Sequence, residues 1–390
     1  MFLAHLGARR QITHLLRSRT ATDNFTVMFG TESSPHGDTV GNLCERLDVD
    51  EVGKIPTWMT EKLIRSRVLY SYRLSDEYFV IAIDGSWVHT FNHRHCDTCL
   101  TKTSGGKTTY YHSVLEAKLV TPNGFALSLM TEFIENSDPN ASKQDCEWKA
   151  FLRLSVRLKE RFPKLRICLA LDGLFAAGDI FGICRRHDWR FFISLKDDDM
   201  TTVNEEFEYL CQLEKKNALT ISVGQDGKIR QEYSWANAID YVDTKKNSHT
   251  LNVVQCLQTS EGKATKFKWL SDFSFDQKNV VHLCNAGGRL RWVIENQGFN
   301  SQKNGGYALE HPYSQNPNGF KVLYYLMQIG HILFQLLSKG SLLKKAFPKG
   351  FGSLKNLAFR ILEAWRNTRI PPEHLHAISE AQFQIRFDST

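Results

Sequence analysis

The sequence has no uninterrupted apolar stretch of the length expected to cross a bilayer. Its longest, Val322 to Leu337, is sixteen residues, and Gln328, His331 and Gln335 interrupt it. Spanning takes about 20 predominantly apolar residues, so this run reads as a core helix. The basic N-terminus is not followed by an apolar segment, which argues against a secretory leader. A disulfide framework is equally absent. Nine cysteines, an odd number, are scattered over 390 residues, as in a protein kept in a reducing compartment. Internal repeats and low-complexity tracts are missing. With 42% hydrophobic and 23% charged residues, the chain is neither disordered nor collagen-like. These absences leave a soluble, cytoplasmic protein of two or three domains with no membrane partner.

What is present begins with charge. The formal net charge is +7, compatible with a polyanion without demanding one. Its distribution is uneven. Residues 1–20 hold Arg9, Arg10, Arg17 and Arg19 and no acid. Residues 339–369 hold Lys339, Lys344, Lys345, Lys349, Lys355, Arg360, Arg366 and Arg369 against Glu363. Each stretch suits a phosphate backbone, and each is also what a solvated helix face looks like.

Residues 1–77 read as mainly helical, with a loop at Ser33 to Asp38 and helical spacing after Pro56. The pattern then changes. Tyr78 to Ile83 is a continuous apolar run closed by Asp84-Gly85, which predicts a strand buried on both faces. Two more strands are expected at Tyr110–Leu119 and Gly124–Met130, then a helix from Lys143 to Arg161 stopped by Pro163. A second buried run, Ile167 to Leu171, again closes in Asp-Gly, at Asp172-Gly173. A helix over Ala176–His187 and a strand over Trp189–Leu195 complete an alternating α/β pattern. Residues 201–278 read as a β-rich insertion, with a hairpin turn at Asp226-Gly227. Val280 to Leu283 is expected to be a strand, and the chain turns helical from Arg289, including most of 319–367.

The chemistry lies in the two Asp-Gly ends. Strands through a core deliver their last side chains to a crevice at the sheet edge. Carboxylates gathered there repel one another until a cation relieves them, and hard oxygen donors suit Mg²⁺ or Mn²⁺. Asp-Gly alone is also a common turn. A third element adds weight. Arg291 and Glu295 are four residues apart on a half-apolar helix carrying Val293, Ile294 and Phe299.

Together, Ile83-Asp84-Gly85-Ser86, Lys143 to Glu147, Leu171 to Phe175, Arg289 to Asn296 and Gly306 to His311 resemble segments of the DDE transposases of bacterial insertion sequences. The group concerned has the signature Tyr-x2-Arg-x3-Glu-x6-Lys, and the resemblance covers residues 35–335. It implies an α/β, ribonuclease H-like mixed-sheet catalytic core at 78–200 and 279–338. A β-rich insertion at 201–278 would interrupt it. A helical DNA-binding region at 1–77 and a basic helical region at 339–390 would flank it. It implies that Asp84, Asp172 and Glu295 hold two Mg²⁺ (or Mn²⁺) ions, which activate the attacking oxygen and stabilise the leaving one. It further implies that Arg291 and Lys303 contact DNA. The partner would be double-stranded DNA, both element ends and target, held by a homodimer close to the nucleoid. Two departures stand out: the signature Tyr falls at Gly288 and the signature Lys at Gln302, with Lys303 one step later. The expected activity is DNA strand cleavage and strand transfer. The alternatives are a metal-dependent nuclease of the same fold and a transposase-derived DNA-binding protein without catalysis.

Smaller features have two readings each. His93, His95, Cys96 and Cys99 are four zinc-type ligands within seven residues. The plainer reading is a buried thiol pair, and a zinc ion would need a partner from elsewhere in the chain. Asp145 and Glu147 suit a helix start or a contact supporting the metal site. Trp87, Trp292 and Phe299 could stack on a base or belong to the core. His89 is either a phosphate contact or a loop histidine.

Overall fold

In the computed structural model, which describes residues 1–136, 143–224, 228–344, 346–381 and 385–387, a mixed ten-stranded sheet runs through the molecule. Strand β1 (Phe79–Phe91) lies near its middle. Its side chains alternate between two apolar layers, as a period of two requires. Val80, Ala82 and Val88 join one layer, and Ile81 and Ile83 the other. The first layer includes α11 (Pro317–Lys339), the second α5 (Glu147–Arg161) and α6 (Gly178–His187). Burial on both faces is why the run 78–83 is continuously apolar.

The remaining strands are β2 (Leu100–Ser104), β3 (Lys107–Val120), β4 (Ala126–Ile134), β5 (Ile167–Leu171), β6 (Arg190–Ser194), β7 (Ala218–Val223), β8 (Ile229–Val242), β9 (Ser248–Ser260) and β10 (Lys263–Ser271). Their order is β2-β3-β1-β5-β6-β10-β9-β8-β7, with β4 also on β3. Strands β1, β5 and β6 are mutually parallel, whereas β3 runs antiparallel to both β1 and β4.

Several expectations need correction. Strand β1 does not stop at Asp84: its pairing with β3 runs from Ile81↔Leu119 to Phe91↔Tyr110. Residues Val280–Ala286 form helix α8, not a strand. Three apolar residues and a histidine fit either period, and Asn279 and Gly287 bracket one helical run. Helix α5 begins at Glu147, four residues later than expected. The region 201–278 opens with helix α7 (Thr201–Leu213), and its strands extend the central sheet, with β10 antiparallel to β6. Asp226-Gly227 and Lys345 lie outside the described residues.

At the N-terminal side lie α1 (Arg10–Leu15), α2 (Arg19–Phe29), α3 (Gly37–Cys44) and α4 (Val49–Arg65). Pro56 sits inside α4. The helix starts earlier because Asp48 caps it, accepting from the amides of Asp50 (2.8 Å) and Glu51 (3.1 Å). Beyond α8 come α9 (Arg291–Val293), a π-helical turn (Ile294–Phe299) and α10 (Asn300–Asn304), and after α11 come α12 (Leu354–Asn367) and α13 (Pro372–Glu380). The two chain ends pack together. Buried Asn24 donates to the carbonyls of Trp365 and Thr368, both at 2.9 Å, and accepts from Ile370 N at 2.8 Å. These bonds satisfy carbonyls that the end of α12 would otherwise leave open.

Helix α11 is long and apolar enough to span a bilayer, but 72% of that window is buried within the fold. The polar residues that interrupt its apolar run have partners. Gln335 exchanges bonds with the backbone of Ala126 on β4 (2.8 and 3.1 Å), while Thr57 and Thr60 of α4 donate to Leu129 O (2.8 Å) and Ser128 O (2.7 Å). These bonds occupy backbone groups in the first half of β4, which would otherwise be open to further strand pairing.

Candidate active site

The parallel pairing of β1 with β5 ends at Ala82↔Ala170. Asp84 and Asp172 each stand two residues beyond that pair, Asp84 within β1 and Asp172 immediately after the end of β5, where it caps the 3-10 turn Gly173–Phe175. By alternation both fall on the face of Ala82 and Ala170, the face that carries Leu290, Ile294 and Phe299. Each carboxylate accepts from the amide of its own following glycine, Asp84 Oδ1 from Gly85 N at 2.9 Å and Asp172 Oδ1 from Gly173 N at 2.6 Å.

Both glycines serve close approach, and Gly173 also opens the 3-10 turn Gly173–Phe175. A Cβ on Gly85 would lie 2.2 Å from Glu147 Oε1, and a Cβ on Gly173 would lie 2.6 Å from Asp199 Oδ2. The missing side chain at 85 therefore lets Glu147, at the start of α5, reach the site.

Glu295 arrives on the π-helical turn. Such turns inside helices recur at functional sites. Arg291, 5% exposed, lies between it and the strands. Its Nη1 donates to Glu295 Oε1 at 3.0 Å and is 3.8 Å from Asp84 Oδ2. The guanidinium also lies against the Trp292 ring, 4.5 Å from its centroid, and its Nε is buried without a partner.

The electrostatics follow from this crowding. Burial pushes the Asp84 carboxyl up to about 7. Arg291 opposes the shift, and the charges of Glu295 and Glu147 add to it. Glu147 is raised too, by burial and then by Asp172. Asp84 thus senses Glu295 and Glu147, and Glu147 senses Asp172, with the Arg291 guanidinium between Asp84 and Glu295. A cation would relieve this arrangement, and an all-oxygen donor set fits a hard divalent ion.

Beneath the cleft lies a buried polar network that sequence reading missed. Glu116 pairs with Asp84 across the β1–β3 ladder. It accepts from Ser128, from Thr131 at 2.6 Å and from Tyr324 at 3.0 Å, and lies 3.3 Å from the buried Lys118 ammonium. Lys118 and Gln302 both donate to Gln328 Oε1, at 2.7 and 2.8 Å. The signature-lysine position is thus a core glutamine tied to α11. Lys303 pairs with Glu310 at 3.0 Å.

Other candidates separate cleanly. Asp145 clamps β4 to α5, bound by Arg153 at 2.7 and 3.2 Å and accepting from Glu135 N. His89 is core, its Nε2 3.0 Å from His311 O, and burial pushes its pKa down to about 4. Phe299 is buried and Trp292 exposed. Trp87 stacks on Tyr111 at 4.1 Å, with Lys102 5.3 Å from its ring. Burial raises the Tyr111 phenol and the charge of Glu147 adds to it, which sets this aromatic pair near Glu147. His93 is exposed, whereas His95, Cys96 and Cys99 gather with His112 of β3.

No protein-family model matches the chain, and no curated protein matches it.

Proposed function

We propose that the chain is a DNA transposase of the DDE type, cleaving DNA strands at the ends of a mobile element and joining them to a target. One observation carries the reading: Asp84 and Asp172 each stand two residues beyond the last pair of the adjacent parallel strands β1 and β5, and Arg291 links Glu295 to Asp84. The strand arrangement β4-β3-β1-β5-β6, with β3 antiparallel to its neighbours, supports a ribonuclease H-like core at 78–200 and 279–338.

Asp84, Asp172 and Glu295, with Glu147 beside them, are the residues that would hold Mg²⁺ or Mn²⁺. Two such ions, when bound, supply activation of the attacking oxygen and charge stabilisation of the leaving one. The chain's own residues do the rest. Arg291 holds Glu295 in position and offsets part of the carboxylate charge. Gly85 leaves room for Glu147. The Trp87–Tyr111 stack offers an aromatic platform for a base at the cleft, with Lys102 poised for a neighbouring phosphate. Exposed Arg10, Arg17, Arg19, Lys349, Lys355 and Arg360 would follow the DNA backbone, in a binding mode that weakens steeply as salt rises. Two copies would bring two DNA ends together.

The test uses DNA taken from both flanks of the chain's own gene, with Mg²⁺, comparing the wild type with Glu295→Gln. Cleavage and joining by the wild type, lost in a variant that still binds the DNA, is the expected result. Cleavage without joining by the wild type means a nuclease. Equal inactivity of both, with DNA bound, means a DNA-binding protein without catalysis.

A further inference from the structure

The connection between β1 and β2 carries His95, Cys96 and Cys99, and β3 carries His112. Their ligand atoms all lie within 4.8 Å of one another. Cys96 Sγ is 3.3 Å from Cys99 Sγ and 3.3 Å from His112 Nε2, and Cys99 Sγ is 3.6 Å from the same nitrogen. A tetrahedral zinc ion with bonds of about 2.0–2.3 Å separates its ligands by roughly 3.3–3.8 Å. The sulfurs are too far apart for a disulfide, whose bond is about 2.05 Å.

Two further observations point to a ligand. His112 is 4% exposed, yet its Nε2 faces only the two thiols and its Nδ1 has no partner. His95 Nδ1 is likewise buried and unpartnered. The rings are also held in place: His95 stacks on Phe91 at 4.5 Å and 4°, and lies perpendicular to His112 at 6.0 Å. Two thiols and two imidazoles with orphaned ring nitrogens make a poor hydrogen-bonding cluster and a good set of soft ligands.

We infer that His95, Cys96, Cys99 and His112 bind one structural zinc ion that staples the β1–β2 connection to β3. On binding, both thiols lose their protons to the buffer, and two thiolates and two neutral imidazoles leave the site without net charge. Four protein ligands close the coordination sphere, so the ion is structural. It is distinct in place and chemistry from the carboxylate cleft, and its presence does not depend on the activity proposed there. The ion fixes the strand segment carrying His89, Phe91, Tyr111 and His112, next to the Trp87–Tyr111 stack that flanks the cleft.

The test is metal content of the full chain, purified in the presence of EDTA and measured by plasma mass spectrometry. We expect ~1 zinc per chain in the wild type, in His93→Ala and in Cys211→Ser. We expect at least a five-fold loss in Cys99→Ser and in His112→Gln. If those two variants fail to fold, the wild type decides through cobalt substitution. Tetrahedral thiolate-bound Co²⁺ gives visible absorption that titrates to one ion per chain and is erased by zinc. A zinc-free wild type without that absorption, whether its thiols are free or oxidised, overturns the inference. So does zinc retained by folded Cys99→Ser and His112→Gln.

Discussion

Arg291 Nη1 sits 3.0 Å from Glu295 Oε1 and 3.8 Å from Asp84 Oδ2, so one buried guanidinium serves two carboxylates from different parts of the chain. Removing it leaves like charges facing each other in a low-dielectric cleft. We predict that Arg291→Ala lowers stability by about 2 kcal/mol without divalent ions, a figure reduced for the partial exposure of Glu295. Mg²⁺ restores much of the loss, because a cation takes over the missing charge. Denaturant melts with and without Mg²⁺ measure this. An equal loss in both would mean that Arg291 acts through packing on Trp292.

Asp84 gives the fold a pH dependence. Its carboxyl is raised from an ordinary 3.8 to about 7, chiefly by burial. The folded state therefore favours the acid form. This contribution to stability is complete below 3.8 and is lost as pH rises through about 7. In EDTA, the stability difference between the wild type and Asp84→Asn should shift against the wild type across that window, by a few kcal/mol at the order-of-magnitude level. Protons and cations compete for the same oxygens. Below pH 7, the Mg²⁺ concentration for half-maximal activity should rise ~10-fold per pH unit. A requirement for Mg²⁺ that is flat from pH 5.5 to 7.5 would contradict this assignment.

Gly85 permits Glu147 to approach, and the atoms a new Cβ would meet are the far end of that flexible side chain. Gly85→Ala is therefore predicted to displace the Glu147 carboxylate and leave the fold within about 1 kcal/mol of the wild type. Catalysis falls at least ten-fold, and Glu147→Gln reproduces the loss. Gly85→Ala with full activity would remove Glu147 from the site.

Gln302 is held by Gln328 and by His331 Nδ1 (3.0 Å), with the buried Lys118 ammonium bound to the same Gln328 oxygen. Writing the signature residue back in, Gln302→Lys, places a second ammonium in this network. We predict a destabilisation of about 3 kcal/mol or more by urea denaturation, largely relieved by adding Lys118→Met. Independent effects of the two substitutions would show that the charges do not share one network.

The sequence disclosed those elements whose residues carry their own period. The apolar runs 78–83 and 167–171 predict β1 and β5, and with them the positions of Asp84 and Asp172. Val280 to Leu283 was too short to distinguish strand from helix. Other features depended on long-range pairing. Asp145 and Glu147 look alike in sequence, and only packing assigns one to Arg153 and the other to the space over Gly85. His112 is thirteen residues from Cys99, outside any local spacing motif. The strand register carries it to the thiols, and a histidine opposite His89 in the β1–β3 ladder is the signal that could have found it. Glu116 and Lys118 looked like ordinary charged residues of a strand, and their burial depends on Tyr324 and Gln328, 208 and 210 residues later.

The capping of the start of β4 also sets a timetable for biosynthesis. Thr57 and Thr60 precede the strand, but Gln335, which covers Ala126, is 209 residues downstream. At about 5–20 residues per second, the ribosome takes roughly 10–40 s to supply it. Throughout that interval the start of β4 is an open template on a nascent chain, and neighbouring polysomal copies carry the identical strand. Slow codons between β4 and Gln335 are therefore predicted to lengthen that exposure and to lower the soluble yield.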